Sequence, residues 1–256
     1  MTDLAEKVRL GDPDRHAATL AAPEADRAKL WPLYAFNLEI ARAPWVTQEP
    51  LIAEMRLQFW SDTLDEIAAG ASARAHEVAA PLAQVWRGAG LPVELGHAMI
   101  AARRQDITRE GFADAQALER YLNATNGHLM WLAARSLGAN PDAEAVVRDM
   151  AHAAGLANWF LAVRELAARN LPPLPDDTDT AIRALARNGL DRLAHARQQR
   201  ASVAAAATPA LLTGWQAGAI LHRAATDPGL VRTGGLALSE FSRRGRLVLR
   251  ALSGRW

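Results

Sequence analysis

The sequence predicts an all-α protein folded as one helical domain. Three observations carry that expectation. Apolar side chains recur at helical spacing through most of the chain. No alternating run of β-branched residues is long enough to build a sheet. Alanine and leucine, both strong helix formers, dominate a composition that is 50% hydrophobic. With 256 residues the chain can bury one large core. No repeat of solenoid period and no low-complexity linker divides it, so a single domain is expected over 1–256.

The elements follow in order. Residues 33–45, "LYAFNLEIARAPW", read as an apolar helix carrying one acid, Glu39, followed by Ala41, Arg42 and Trp45. Over 49–70, Leu51, Met55, Phe59, Leu64 and Ile67 stand at helical spacing. Glu49 and Pro50 open that helix and Gly70 closes it. A further helix is expected over 72–90, with a break at Pro81, and another begins at Pro92. Asp114 is placed to cap a long helix reaching about 139, and Asn140 with Pro141 opens the next. Residues 171–179 form a short loop, and helices of alanine-rich character complete the chain.

Composition removes several classes of function. The net charge of +1 gives no general attraction to nucleic acid, so none is expected as a partner. The absence of cysteine excludes disulfides, thiolate zinc sites and cysteine nucleophiles. His76-Glu77 begins like a helical zinc motif, but Ala80 stands where the second histidine belongs. Glycine-rich nucleotide loops and a nucleophile elbow are missing. The N-terminus lacks the apolar segment of a secretory signal, and no apolar run approaches membrane-spanning length. A cytoplasmic protein is expected, free or peripheral on the inner face of the membrane. Scarce lysine beside abundant arginine and alanine suggests a GC-rich bacterial genome.

Five blocks occur in order: "DPDRHAATLAAP" (12–23), "LWPLYAFNLEIARA" (30–43), "EMRLQFWSDTLDEIAAG" (54–70), "LERYLNATNGHLMWLAARSLG" (118–138) and "GLANWFLAVRELAARNLPPLP" (155–175). Together they resemble the squalene/phytoene synthase family from about residue 10 to about 180. The remainder, 181–256, matches only as helices. The resemblance implies an isoprenoid-synthase-like helical bundle with a central cavity. It also implies two aspartate-rich motifs on facing helices that hold Mg²⁺ against a prenyl diphosphate. Magnesium demands hard oxygen ligands, and carboxylates four residues apart on a helix can share a metal cluster.

This sequence departs from the family pattern where those motifs belong. Alignment on Phe36 puts Ala41 and Arg42 at the paired aspartates and Trp45 at the third. In the second motif Arg164-Glu165 stands where the family has Arg-Asp, and Arg169 replaces the partner acid. Unit charges 4 Å apart interact by about 4 kcal/mol at an effective dielectric of about 20. Arginines there oppose a divalent cation, so no metal cofactor and no catalytic residue are expected. "LYAFNLEIARA" and "RLQFWSDTLDEI" resemble a non-catalytic branch of the family that includes a mitochondrial complex I assembly factor. That resemblance implies a protein partner in a membrane complex.

Tyr34, Glu39, Arg42, Arg164, Glu165 and Arg169 are the candidate ligand-binding residues. The arginines either grip an anionic head group or pair internally with the two glutamates. Tyr34, Phe36, Phe59, Trp60, Trp131, Trp159 and Phe160 either line a pocket for an isoprenoid or lipid-like ligand or form ordinary core. The C-terminal "SEFSRRGRLVLRALSGRW" carries five arginines against one acid, with Phe241, Leu247, Val248, Leu249 and Leu252 among them. Residues 239–256 read as a membrane-surface helix or as a last bundle helix. The leading expectation is a non-catalytic family homologue that binds a protein or a lipid. The alternatives are an active prenyltransferase in which Glu39 and Glu165 hold Mg²⁺, and an isoprenoid or quinone carrier.

Overall fold

The computed structural model describes residues 3–256. Fourteen α-helices run through the described residues, with no strand among them. In chain order they are α1 (Asp3–Gly11), α2 (Pro13–Thr19), α3 (Glu24–Arg42), α4 (Pro50–Ala68), α5 (Ala79–Gly88), α6 (Val93–Thr108) and α7 (Ala115–Leu122). Then come α8 (His128–Ser136), α9 (Glu144–Ala168), α10 (Asp179–Gln198), α11 (Thr208–Leu212), α12 (Ala217–Thr226), α13 (Gly229–Thr233) and α14 (Glu240–Ser253). The 25-residue α9 is the axis of the bundle. It packs against α7, α8, α10, α12 and α13. Residues 151–157 are all buried, and five of the seven are alanine or glycine, so neighbouring helices approach closely.

Local chemistry sets most boundaries. Asp114 caps α7 by accepting a 2.7 Å hydrogen bond from the Ala117 N–H. Pro50 occupies the first turn of α4, and Gly70 leaves the helix at φ +72°, a left-handed geometry that favours glycine. Residues 72–78 do not continue into a helix; α5 starts at Ala79 with Pro81 in its first turn. The helix around "LYAFNLEIARA" stops at Arg42, ahead of Pro44 and Trp45.

Two sequence expectations change in the folded chain. The expected stripe of α4 holds in its second half, where Leu64 and Ile67 are buried, and fails in its first, where Leu51 and Met55 are exposed and Ala53, Leu57 and Trp60 face the core instead. Both rows have helical spacing, and the row that includes the small Ala53 meets the neighbouring helices. The expected long helix from Asp114 is three pieces, because residues 123–127 widen into a π-turn between α7 and α8. That turn brings Asn126 onto α9, where its Nδ2 donates to the Ala151 carbonyl at 2.6 Å. A Cβ on Gly155 would stand 3.1 Å from the Asn126 Cβ, so the contact depends on glycine.

Candidate functional site

Trp45 and Arg169, just beyond the ends of α3 and α9, meet where the family resemblance placed its two motifs. Trp45, just beyond α3, lies under two guanidinium groups, those of Arg169 at 5.5 Å and Arg109 at 5.8 Å from its ring centroid. Arg169 is also bridged to Glu165 at 2.6 Å along α9, and both side chains are exposed. Arg164 donates to the Thr233 carbonyl at 3.3 Å, turning toward α13. Arg42 is exposed, and its guanidinium lies against Gly11 at the end of α1.

Glu39 is held by a group the sequence did not single out. α1 buries Leu4, Ala5 and Val8 and packs on α3, which carries Lys7 to Glu39. Lys7 also bridges to Glu77 at 2.7 Å. Burial works against the Lys7 charge, yet the two glutamates outweigh it and raise its pKa. Glu77, bonded to the same ammonium, is held below the usual carboxylate range. His76 and Glu77 lie in a loop, with no helical metal motif formed. The two carboxylates near the mouth are therefore neutralised separately, Glu39 by Lys7 and Glu165 by Arg169. Among the described residues no group of three or more His, Asp or Glu converges as a metal site. That donor set does not fit a magnesium cluster.

The centre of the bundle is different. Two small polar cavities, of about 170 and 180 Å³, share Arg15 and Asn158 as lining residues. Arg15 is buried and donates through Nε to Asp12 Oδ2 at 2.8 Å, while its guanidinium lies 5.1 Å from the Tyr34 ring centroid. The Tyr34 hydroxyl is buried without a hydrogen-bond partner, and burial drives its pKa up. Opposite, Arg103 donates from Nη1 to the Tyr121 hydroxyl at 2.5 Å and to Asp106 Oδ2 at 3.2 Å. Tyr121 donates in turn to Asp106 at 2.9 Å. Burial raises the Asp106 pKa, with Arg103 and the Tyr121 hydroxyl opposing it. Water takes about 30 Å³ and drug-sized ligands need pockets of about 300 Å³ or more. Each chamber thus has room for a few waters or a small anion.

The large aromatics expected to line a pocket mostly fill the core. Tyr34, Phe36, Trp60, Trp131 and Phe160 are buried, and Phe36 meets Trp60 and Trp86 edge-on. Trp159 lines the smaller chamber and donates to the Pro173 carbonyl at 2.7 Å. Phe59 stacks under Arg74, which also clamps Asp62 and Glu66. A larger cavity, of about 730 Å³, lies between α7, α9 and α10. Leu118, Leu122, Leu156 and Leu185 give it apolar walls, with His152 and Asn188 as polar points. Burial, with Arg192, keeps the His152 pKa low, so its ring is neutral. The sequence reading missed this groove because its walls come from three separated segments. Arg103 and Asp106 did carry a signal, an i,i+3 charge pair on one helix.

The family model described as squalene/phytoene synthase matches residues 8–250, well past the 10–180 region with recognisable blocks. Curated relatives include "NADH dehydrogenase (ubiquinone) complex I, assembly factor 6" of Bos taurus, 29% identical over 133 residues, which covers 52% of this chain and 40% of the relative. The Homo sapiens protein is 26% identical over 133 residues. The Drosophila melanogaster homolog is 26% identical over 170 residues, covering 64% of this chain and 51% of that protein. The chain thus spans about half or less of these relatives. Among solved structures, a dehydrosqualene synthase superposes with a TM-score of 0.81 at 13% identity, covering 98% of this chain and 94% of that one. Squalene synthase HpnC from Alicyclobacillus acidocaldarius gives 0.70 at 16% identity, covering 91% and 93%. Both share the fold.

Proposed function

The chain belongs to the squalene/phytoene synthase family, and from that premise we propose that it is a non-catalytic member that works by binding, with a protein of a membrane complex as its partner. The observation that carries this reading is the Trp45–Arg169 contact between the facing ends of α3 and α9. An aromatic ring and a guanidinium occupy the positions from which carboxylates would have to reach a shared metal ion. Glu39 and Glu165 sit in separate ion pairs and offer no common vertex. Metal-assisted ionisation of a diphosphate needs cations to neutralise the leaving group. Among the described residues no group of acids gathers there to collect them. The likeness to proteins called complex I assembly factor 6 supports a role in assembly.

A second reading, carriage of an isoprenoid or quinone-like lipid, rests on the 730 Å³ groove and its leucine walls. One experiment separates the three possibilities. The purified protein is incubated with farnesyl diphosphate and Mg²⁺, and diphosphate release is measured. In parallel, a mild-detergent purification is analysed for copurifying lipid and polypeptide. Assembly predicts no Mg²⁺-dependent diphosphate release, no stoichiometric lipid and a defined polypeptide partner. Stoichiometric lipid alone would replace it with the carrier reading. Metal-dependent product formation would overturn both.

A further inference from the structure

α14 wears its apolar surface outward. At about 100° per residue, Phe241, Val248, Leu252 and Leu249 fall within an arc of about 100° on one side of the helix. Their exposures are 91%, 54%, 83% and 70%. The helix is not loose. Leu247 and Ala251, on a different side, pack against Ala18, Leu212 and Trp215. Arg243 pairs with Asp14, and Trp256 is buried with its main-chain oxygen accepting from Arg197 Nε at 3.1 Å. A last bundle helix that merely covered the core would turn its larger side chains inward. This one uses a leucine and an alanine as anchors and presents a phenylalanine, a valine and two leucines to solvent.

A cationic cluster borders that stripe. Arg246 and Arg250 lie along its edge beyond Leu249, and Arg197 and Arg200 approach from the end of α10 and the turn after it. Among the described residues none of these four pairs with an Asp or Glu; Arg246 donates to Ser242 Oγ, Arg197 to the Trp256 main-chain oxygen and Arg200 to the Arg197 carbonyl. The Arg197 Nη2 is buried without a partner. Burial, then Arg250 and Arg200, bring the Arg197 pKa down to about 10. Burial, then Arg246 and Arg200, lower that of Arg250. The one acid of α14, Glu240, is already engaged by Arg243 and Arg244. Arg200, Arg246 and Arg250, crowded beside Arg197 with no Asp or Glu against them, are complementary to phosphate. Beside an exposed apolar stripe, the phosphate they suit is that of a lipid.

We propose that α14, with Arg197 and Arg200, is a docking face for a bilayer surface containing anionic phospholipid. The stripe enters the acyl boundary and the arginine cluster takes lipid phosphates. No helix among the described residues is long and apolar enough to cross a membrane, so the contact is interfacial. It is independent of the assembly reading, because a carrier or an enzyme would use the same face.

The test uses the full chain with sedimenting vesicles of phosphatidylcholine, alone or mixed with phosphatidylglycerol. Phe241→Ser/Leu252→Ser alters only exposed side chains, and Arg246→Gln/Arg250→Gln thins the cluster. Thermal melts check that both variants remain folded. The unaltered protein is expected to sediment with the mixed vesicles, and less so as salt rises. The apolar variant should bind about tenfold or more weakly, since two buried side chains are lost. The charge variant should bind less and with a shallower salt dependence. Absence of binding to mixed vesicles, or equal binding by the apolar variant, overturns the proposal. So does release by inorganic phosphate at the lipid-phosphate concentration, which would assign the cluster to a free anion. A concentration-dependent dimer abolished by the apolar variant would assign the stripe to a second copy and equally overturn it.

Discussion

The mouth and the centre of the bundle hold their charges in opposite ways. At the mouth, Glu165 and Arg169 are exposed neighbours on one helix, and Arg169 is shared with an indole ring. At the centre, Arg103, Asp106 and Tyr121 form a closed, largely buried triangle. Water screens the first pair and leaves it worth little. The second persists only because each member satisfies another, and removing one strands a buried charge. The mouth can change sequence at low cost, whereas the central network cannot.

The largest effect that can break this comparison lies at the centre. Asp106→Ala leaves the Arg103 guanidinium buried without its acid, and a loss of about 3–5 kcal/mol is expected in urea unfolding. Asp106→Asn, which still accepts from Tyr121, is expected to lose less. A neutral result for Asp106→Ala would erase the distinction between the two regions.

An intermediate effect is expected at His128, beside the π-turn. Burial, then the Arg148 charge facing its Nδ1 at 2.6 Å, lower its pKa to about 4 from an ordinary 6.5. The unfolded chain therefore binds a proton in a range where the folded chain does not. This contribution is fully present above pH 6.5, declines as pH falls toward 4, and changes no further below that. Because the ring is partly solvated, the loss is roughly 1–2 kcal/mol. His128→Gln should flatten that part of the stability profile, and an unchanged slope would remove His128 as its source.

The smallest effect belongs to the mouth. Glu165→Gln is expected to alter stability by no more than about 0.5 kcal/mol, and Arg169→Ala by little more, since it also uncovers the face of Trp45. Thermal denaturation checks both. A cost comparable to that of Asp106→Ala would mean that the mouth is a structural keystone.

Much of the fold was legible because its causes are local. The Asp114 cap, Pro50 at a helix start and Gly70 at a helix end depend on residues within a turn or so of one another. That Ala41, Arg42, Trp45 and Arg169 stand where the resemblance implies acids is likewise a reading of the chain alone. The outward stripe of α14 was visible only as amphipathicity, which fits a core-facing helix equally well. The inward row in the first half of α4 was hidden because two apolar rows there share the same period.

The sequence alone determined that this is an all-helical member of its family and that the first and last turns of several helices lie where they do, and it put alanine, arginine and tryptophan where the resemblance implies metal-binding acids. Tertiary structure decided which charge answers which. Lys7 reaches Glu39 across 32 positions, Arg243 reaches Asp14 across 229, and Arg169 finds Trp45 rather than an acid from another helix. The physical reason is range. Capping and propensity act within about one helical turn, whereas ion pairing and burial depend on distances in space that only the packed bundle fixes.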